Sequence, residues 1–279
     1  MTITTSLVQQ QVEVALAEDI GSGDVTASLL ATDASATATV LSREAAVVCG
    51  CAWFTACFSQ LDKHTRVDWL VHEGEQVAAN TMLCRVQGNA RVLLSAERTA
   101  LNFLQTLSAT ATVTRRYVDA VAGTKAIIYD TRKTIPGWRL AQKYAVIIGG
   151  GANQRVGLFD AVLLKENHLS LAGGVAAALA LARQQVAPAM PIQIEVESLP
   201  QLEQAIAVGA NLILLDNMSI EQLRQAVQYT AGRALLEASG NIHLGNVRAI
   251  AETGVDRISV GALTKHIHAI DLSMRIAVD

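Results

Sequence analysis

Between Thr131 and Phe159 stand Arg132, Lys133, Arg139, Lys143 and Arg155, with no Asp or Glu among them. The chain as a whole carries a formal net charge of −3, so this stretch reverses the local sign. Arg presents a flat two-pronged donor suited to carboxylate or phosphate, and Lys a compact point charge. Arg155 follows GGGAN, whose glycines let backbone approach a ligand closely. A ligand with several negative charges would satisfy such a group. Opposite charge appears further along, where Glu195 and Asp216 sit at the ends of the apolar runs IQIEV and LILLD. Two carboxylates at adjacent strand ends suit a magnesium ion, which keeps most of its waters and takes one or two protein oxygens. The segments EASGN and SVGALT then supply small residues whose backbone N–H groups can meet a phosphate, helped by the dipole of a following helix.

Side chains so far apart in the chain need a scaffold that gathers them, and the hydrophobic pattern supplies one. Six short apolar runs stop at or near a polar residue: 126–130, 161–165, 192–196, 212–216, 234–238 and 257–261. Segments such as SLPQLEQAIAVGA and SIEQLRQAVQYTAG lie between them, with helical apolar spacing, and Gly209 and Gly254 are placed to end helices. This alternation predicts parallel strands with crossover helices. An open sheet and a barrel of the TIM kind both direct ligands to the strands' C-terminal ends. Those ends carry Arg132, Lys165, Glu195, Asp216, Ser239 and Gly261. The missing GxGxxG after the first strand favours the barrel.

The first hundred residues read differently. ATATVLSREAAVVCG and RVDWLVHEGEQVAANTMLCRVQG predict strands and turns, Gly74 marking one turn. The second segment resembles the half-barrel repeats of biotinyl and lipoyl domains but lacks a lysine at the hairpin tip, so its role is structural. SAERTALNFLQTLSATATVTRRYVDAV predicts a long helix with Ser95 as N-cap and Glu97 in the first turn. Leu101, Leu104 and Leu107 form its buried stripe, and Arg98 lacks a local partner. At 279 residues, 51% hydrophobic and 17% charged, the chain is of ordinary globular composition. Its negative balance argues against a nucleic-acid partner, and no apolar run approaches a membrane span. No Lys or Arg precedes Arg43, unlike a secretory or organelle leader. Cys49, Cys51, Cys57 and Cys84 form no CxxC pair and are expected as free thiols in a reducing cytoplasm.

In order and spacing, SAERTALNFLQTLS, DTRKTIPG, KYAVIIGGGANQRVGL, LLKENH, EVE, LLDNM, LEASGN and GVDRISVGALT resemble the quinolinate phosphoribosyltransferase family. The resemblance runs from EDIGSGDVT at residue 18 to a last helix. It implies an N-terminal α/β sandwich domain over 1–108, joined by the tail 267–279, and a TIM-like α/β barrel over 109–266. It also implies a reaction of de novo NAD biosynthesis. The ring nitrogen of quinolinate attacks the anomeric carbon of phosphoribosyl pyrophosphate, pyrophosphate leaves, and loss of CO2 gives nicotinate mononucleotide. By the same resemblance, Arg98, Thr131, Arg132, Lys133, Gln154, Arg155 and Lys165 meet quinolinate. Glu195 and Asp216 hold Mg2+ and the ribose and form the catalytic group with Lys133. Ser239, Gly240, Asn241, Val260, Gly261 and Ala262 take the 5′-phosphate.

Family members pair head to tail, so a cytoplasmic homodimer is expected, with Arg98 entering the neighbouring pocket. Three positions depart from the family pattern: Gln154 stands where a histidine is usual, Ala109 where glycine is, and Trp138 where leucine is. Glutamine still donates a hydrogen bond but cannot become cationic. A nicotinate transferase, a Schiff-base lyase through Lys165 (made less apt by Glu166 beside it) and a non-catalytic binder are the alternative readings.

Overall fold

The computed structural model describes residues 3–278. Two compact units divide the chain: Met1–Val113 with Leu140–Gly149 and His266–Asp279, and Thr114–Arg139 with Gly150–Lys265. The first unit opens with helix α1 (Thr5–Ile20), capped by Thr4, whose hydroxyl accepts from Leu7 N at 3.2 Å. Strands β1 (Ser35–Ser42) and β2 (Ala46–Val47), helix α2 (Cys51–Leu61) and strands β3 (Arg66–Trp69), β4 (Gln76–Val77) and β5 (Met82–Asn89) follow, then helix α3 (Ala90–Ala120). An antiparallel sheet runs in the order Leu272–Val278, β1, β5, β3, so the C-terminal residues form an edge strand rather than the expected final helix. Their alternation LSMRIAV suits a strand with one face covered.

Helix α3 starts six residues earlier than a cap at Ser95 implies, directly out of β5. Asn89 Oδ1 accepts from Arg91 N at 3.0 Å and takes the capping role assigned to Ser95. Ser95 lies inside the helix, and its hydroxyl donates to Asp24 Oδ2 at 2.8 Å. The Asp24 carboxylate also accepts from the backbone N–H of Thr26 and Ala27, each at 2.9 Å. The Ala27 N–H first, then the Ser95 hydroxyl, hold its pKa below the usual carboxylate value. The GDVT turn is thereby tied to α3. Leu101, Leu104 and Leu107 are buried as expected, each burial contributing about 1.5–3 kcal/mol. Cys49, Cys57 and Cys84 are buried and all four thiols are free. Burial pushes Cys57 and Cys84 up to about 12.

The second unit contains all six strands read from the sequence. These are β6 (Ile127–Tyr129), β7 (Val162–Leu164), β8 (Ile192–Val196), β9 (Leu212–Asp216), β10 (Leu235–Ser239) and β11 (Arg257–Ser259). Between them in sequence lie helices α5 (Glu166–Ala172), α6 (Val175–Gln185), α7 (Leu199–Ala207), α8 (Ile220–Thr230) and α9 (Val247–Ala251), while α4 (Arg139–Ile148), which follows β6 in the chain, belongs to the first unit from Leu140 on. The four-residue α10 (Ala262–Lys265) follows β11. All the ladders are parallel, in the order β6-β11-β10-β9-β8-β7. This is chain order with the first strand placed beside the last, the order of a barrel rather than of a doubly wound sheet. The edge strands β6 and β7 form no ladder with each other among the described residues, and Tyr129 on β6 bridges to Ala152 instead. No helix among the described residues is long and apolar enough to cross a membrane.

Strand alternation sorts the side chains. Ile194, Val196, Ile213, Leu215, Leu236, Ala238 and Ile258 are buried, with α6 and α7 packed on β8. Residues of the other parity point into the barrel. Ser198 and Ser219 cap α7 and α8, Ser219 accepting from Gln222 N at 3.2 Å while Gln222 Oε1 accepts from Ser219 N at 2.9 Å. Gly209, at φ +73°, follows α7 and turns the chain back into β9.

Candidate active site

A cavity of about 570 Å3 opens at the C-terminal ends of these strands. Its walls include Thr131, Arg132 and Lys133 after β6, Gln154 and Arg155, Lys165 after β7, Glu195 on β8 and Asp216 ending β9. Ser239, Gly240 and Asn241 after β10 complete the set. Residues widely separated in the chain thus converge because a parallel sheet sends every strand's C-terminus to one side.

Cations are held in several ways. Arg155 donates to Ala161 O at 3.1 Å, and burial together with neighbouring Arg132 lowers its pKa, partly offset by Asp160. Arg132 Nε is buried without a hydrogen-bond partner, a cost that an anion lodged there would remove. Lys165 Nζ lies 3.2 Å from Glu195 Oε2, so it is engaged with a carboxylate rather than isolated in the apolar niche that a Schiff-base lysine needs. The backbone N of Lys165 donates to His168 Nδ1 at 3.0 Å, giving that histidine a place at the start of α5. Gly261 packs against Lys133, a Cβ there standing 3.1 Å from its Cδ.

The floor of the cavity holds a polar network of which the sequence singled out only Gln154. Glu237, fully buried in the middle of β10, accepts from Gln154 Nε2 and, at 2.9 Å, from Gln193 Nε2. Gln154 Nε2 also reaches Gln193 Oε1 at 3.3 Å, and its backbone N donates to Asp130 Oδ1 at 2.7 Å. Burial raises the pKa of Glu237, while bonds from Gln193, Gln154 and Ser259 and the charge of Arg257 oppose the rise. With its amide N–H groups turned to this network, Gln154 is oriented by the barrel interior.

Several expectations change. Arg139 does not join the cavity: it donates to Thr134 Oγ1 (3.1 Å), Val156 O (3.1 Å) and Arg132 O (3.3 Å) and so braces the DTRKT loop. Lys143 is fully buried within α4. The GGGAN glycines are not in the cavity wall; Gly150, at φ +89°, lies against the Arg115 guanidinium as the chain turns from α4 toward Ala152. Helix α9 begins only at Val247 and spans five residues, so no helix N-terminus directly follows Asn241. Val260, Gly261 and Ala262 do not line the cavity, whose wall takes Ser259 from β11, though Gly261 borders the wall residues Lys133 and Thr131. Arg98, expected in a neighbouring copy's pocket rather than its own, is exposed on α3 and does not line this cavity. The residues missed were Asn217 and, on the strands, Leu163, Gln193, Leu214, Glu237 and Ser259. Each strand residue stands two before a strand-end residue that was noticed, and that parity was the available signal; Asn217, directly after Asp216, lacked it.

A parallel sheet in barrel order that turns cations, two carboxylates and a small-residue loop into one cavity defines an α/β-barrel enzyme that handles anionic substrates. The C-terminal domain of quinolinate phosphoribosyl transferase matches residues 110–275, and its N-terminal domain residues 24–108. The chain belongs to the quinolinate phosphoribosyltransferase family. A nicotinate-nucleotide pyrophosphorylase [carboxylating] of Mycobacterium leprae is 48% identical over 212 residues, covering 75% of this chain and 74% of the relative. The chloroplastic protein of that name from Oryza sativa is 40% identical over 289 residues, 95% of this chain and 76% of its own. The solved nicotinate-nucleotide pyrophosphorylase of Francisella tularensis superposes with a TM-score of 0.96 at 47% identity, spanning 99% of this chain and 98% of that one.

Proposed function

We propose that this cavity carries out the family's reaction with the residues named above. The chain transfers a phosphoribosyl group from phosphoribosyl pyrophosphate to quinolinate with decarboxylation, forming nicotinate mononucleotide, pyrophosphate and CO2 for NAD biosynthesis. One observation carries the assignment of roles. Cations for a dicarboxylate, carboxylates for a metal-bound ribose, and a small-residue loop for a phosphate line a single cavity.

In this reading Arg132, Arg155 and Lys165 clasp the quinolinate carboxylates, Thr131 and Gln154 frame the ring, and Lys133 faces the reacting centre. Ser239, Gly240 and Asn241, backed by Val260, Gly261 and Ala262, receive the 5′-phosphate. Glu195 and Asp216 would hold Mg2+. They offer hard oxygens, and among the described residues no cluster of three or more His, Cys, Asp or Glu is available. That set fits an ion coordinated mostly by water and substrate phosphates. When bound, Mg2+ supplies neutralisation of the charge growing on the leaving pyrophosphate.

Holding the dianion beside the ribose turns a two-body encounter into a local one, a gain of roughly 7–11 kcal/mol. Fixed cations around the cavity stabilise the charge that shifts as the glycosidic bond breaks. Loss of CO2 needs no protein base, because the ribosylated pyridinium accepts the electrons. Arg98, exposed and lacking a role in its own unit, is assigned to the cavity of a second copy in a homodimer. The proposed compartment is the cytoplasm, in keeping with four free thiols.

The test mixes purified protein, phosphoribosyl pyrophosphate and Mg2+ with quinolinate or, separately, with nicotinate, and follows nicotinate mononucleotide and CO2. Equimolar release supports the reading. Product formed from nicotinate instead, without CO2, overturns the choice of acceptor.

A further inference from the structure

Asn217 follows Asp216 in the left-handed conformation, at φ +53°. That conformation is costly for most side chains, and Asn tolerates it because its short amide bonds locally. Here the amide works in two directions. Nδ2 donates to Asp216 Oδ2 at 2.7 Å, while Oδ1 accepts from Asn241 Nδ2 at 3.3 Å. The Asn217 backbone N donates to Ser239 O at 2.9 Å, fastening the end of β9 to the end of β10. Asn241 is itself left-handed, at φ +51°, and its carbonyl accepts from Asn246 Nδ2 at 3.0 Å. Asn246 Oδ1 in turn accepts from His243 N at 2.8 Å, so residues 241–246 are ordered by one chain of bonds.

Gly240 completes the arrangement. At φ +98°, a Cβ there would stand 2.1 Å from Asn217 Oδ1 and 2.9 Å from its backbone N. Only glycine lets the Asn217 amide lie flat across this loop. Asp216, Asn217, Ser239, Gly240 and Asn241 all line the cavity.

We infer that Asn217 is a positioning residue that couples the phosphate loop to the Asp216 carboxylate. With Oδ2 held by the Asn217 amide, Asp216 keeps one orientation in which it would hold the ribose and Mg2+. Because the same amide accepts from Asn241, ordering of the loop by a 5′-phosphate is transmitted to Asp216. Quinolinate, held by cations on other strands, lies outside this link. The inference rests on the phosphoribosyl-transfer reading above.

The experiment is a double-mutant cycle of Asn217→Gly, Asn241→Gly and the pair, both replacements accepting positive φ. Steady-state kinetics with Mg2+ are combined with calorimetric binding of phosphoribosyl pyrophosphate and, separately, of quinolinate. Expected is a loss of about tenfold in kcat for each single change, with the pair falling far short of the hundredfold product, because both remove one shared link. Quinolinate affinity stays at the wild-type value, which a general loosening of the barrel would not allow. Asn217→Asp, which keeps the acceptor for Asn241 but replaces the donor to Asp216, is expected not to restore kcat. Unchanged kcat in Asn217→Gly, multiplicative losses in the pair, or rescue by Asn217→Asp overturns the inference while leaving the transferase reading intact. A wild-type protein that neither binds nor consumes phosphoribosyl pyrophosphate removes that reading, and the coupling with it.

Discussion

Gly261→Ala separates positioning from stability. The backbone at Gly261 does not require positive φ, so alanine introduces no backbone strain. Fewer unfolded conformations then favour the variant by about 0.4–1 kcal/mol. The new Cβ lands 3.1 Å from Lys133 Cδ and 3.6 Å from Thr131 Oγ1. The first distance is a few tenths of an ångström inside ordinary contact, so the Lys133 side chain must move while the barrel need not. A hydrogen bond from a charged group is worth about 1.5–3 kcal/mol, and moving its ammonium off line forfeits much of that. At about 1.4 kcal/mol per factor of ten, kcat/KM for phosphoribosyl pyrophosphate should fall roughly tenfold to a hundredfold. Thermal unfolding by circular dichroism should show a Tm equal to or above the wild type. Wild-type kinetics in the variant would refute the role given to Lys133. A Tm several degrees lower would refute the claim that only a side chain yields.

Three further outcomes are expected. Burial raises the Glu237 pKa, so the folded state binds its proton at a pH where the unfolded chain has released it. The contribution of this group is therefore fully present below the unfolded carboxylate pKa and is lost as pH rises through the folded one. Glu237→Gln removes that titration, and its Tm relative to wild type should climb across the same window; parallel Tm curves would contradict this. Gln154→His places an imidazole against the Glu237 carboxylate, which favours its cationic form, so quinolinate should bind more tightly as pH drops from 8 to 5.5, whereas the native chain shows a flatter profile. Identical profiles by calorimetry would argue against it. Cys57 and Cys84, pushed up to about 12 by burial, should react with a thiol reagent at neutral pH only after denaturation, and rapid native labelling would show that the first unit opens readily.

All six barrel strands were legible in the sequence, because each is a short apolar run flanked by helical spacing, and burial of one strand parity enforces that pattern. The strand-end residues Lys165, Glu195, Asp216 and Ser239 were legible too, since parallel strands carry their chemistry at their C-terminal ends. Cap positions were only partly so. The serine at 95 has the right residue type, but Asn89 sits where the chain leaves β5 and captures the role first. Pairing of β6 with β11, which gives the strands barrel order, joins residues about 130 positions apart, and no local periodicity records it. The same holds for Gln154, Gln193 and Glu237, brought together from three separate segments. Sorting the cations was likewise left to the tertiary structure. Arg132 and Arg155 face the cavity, Arg139 bonds to backbone carbonyls and Lys143 is buried, because side-chain direction depends on the packing of neighbouring elements. Local spacing thus specifies which groups a strand or helix presents; long-range pairing specifies which of them meet.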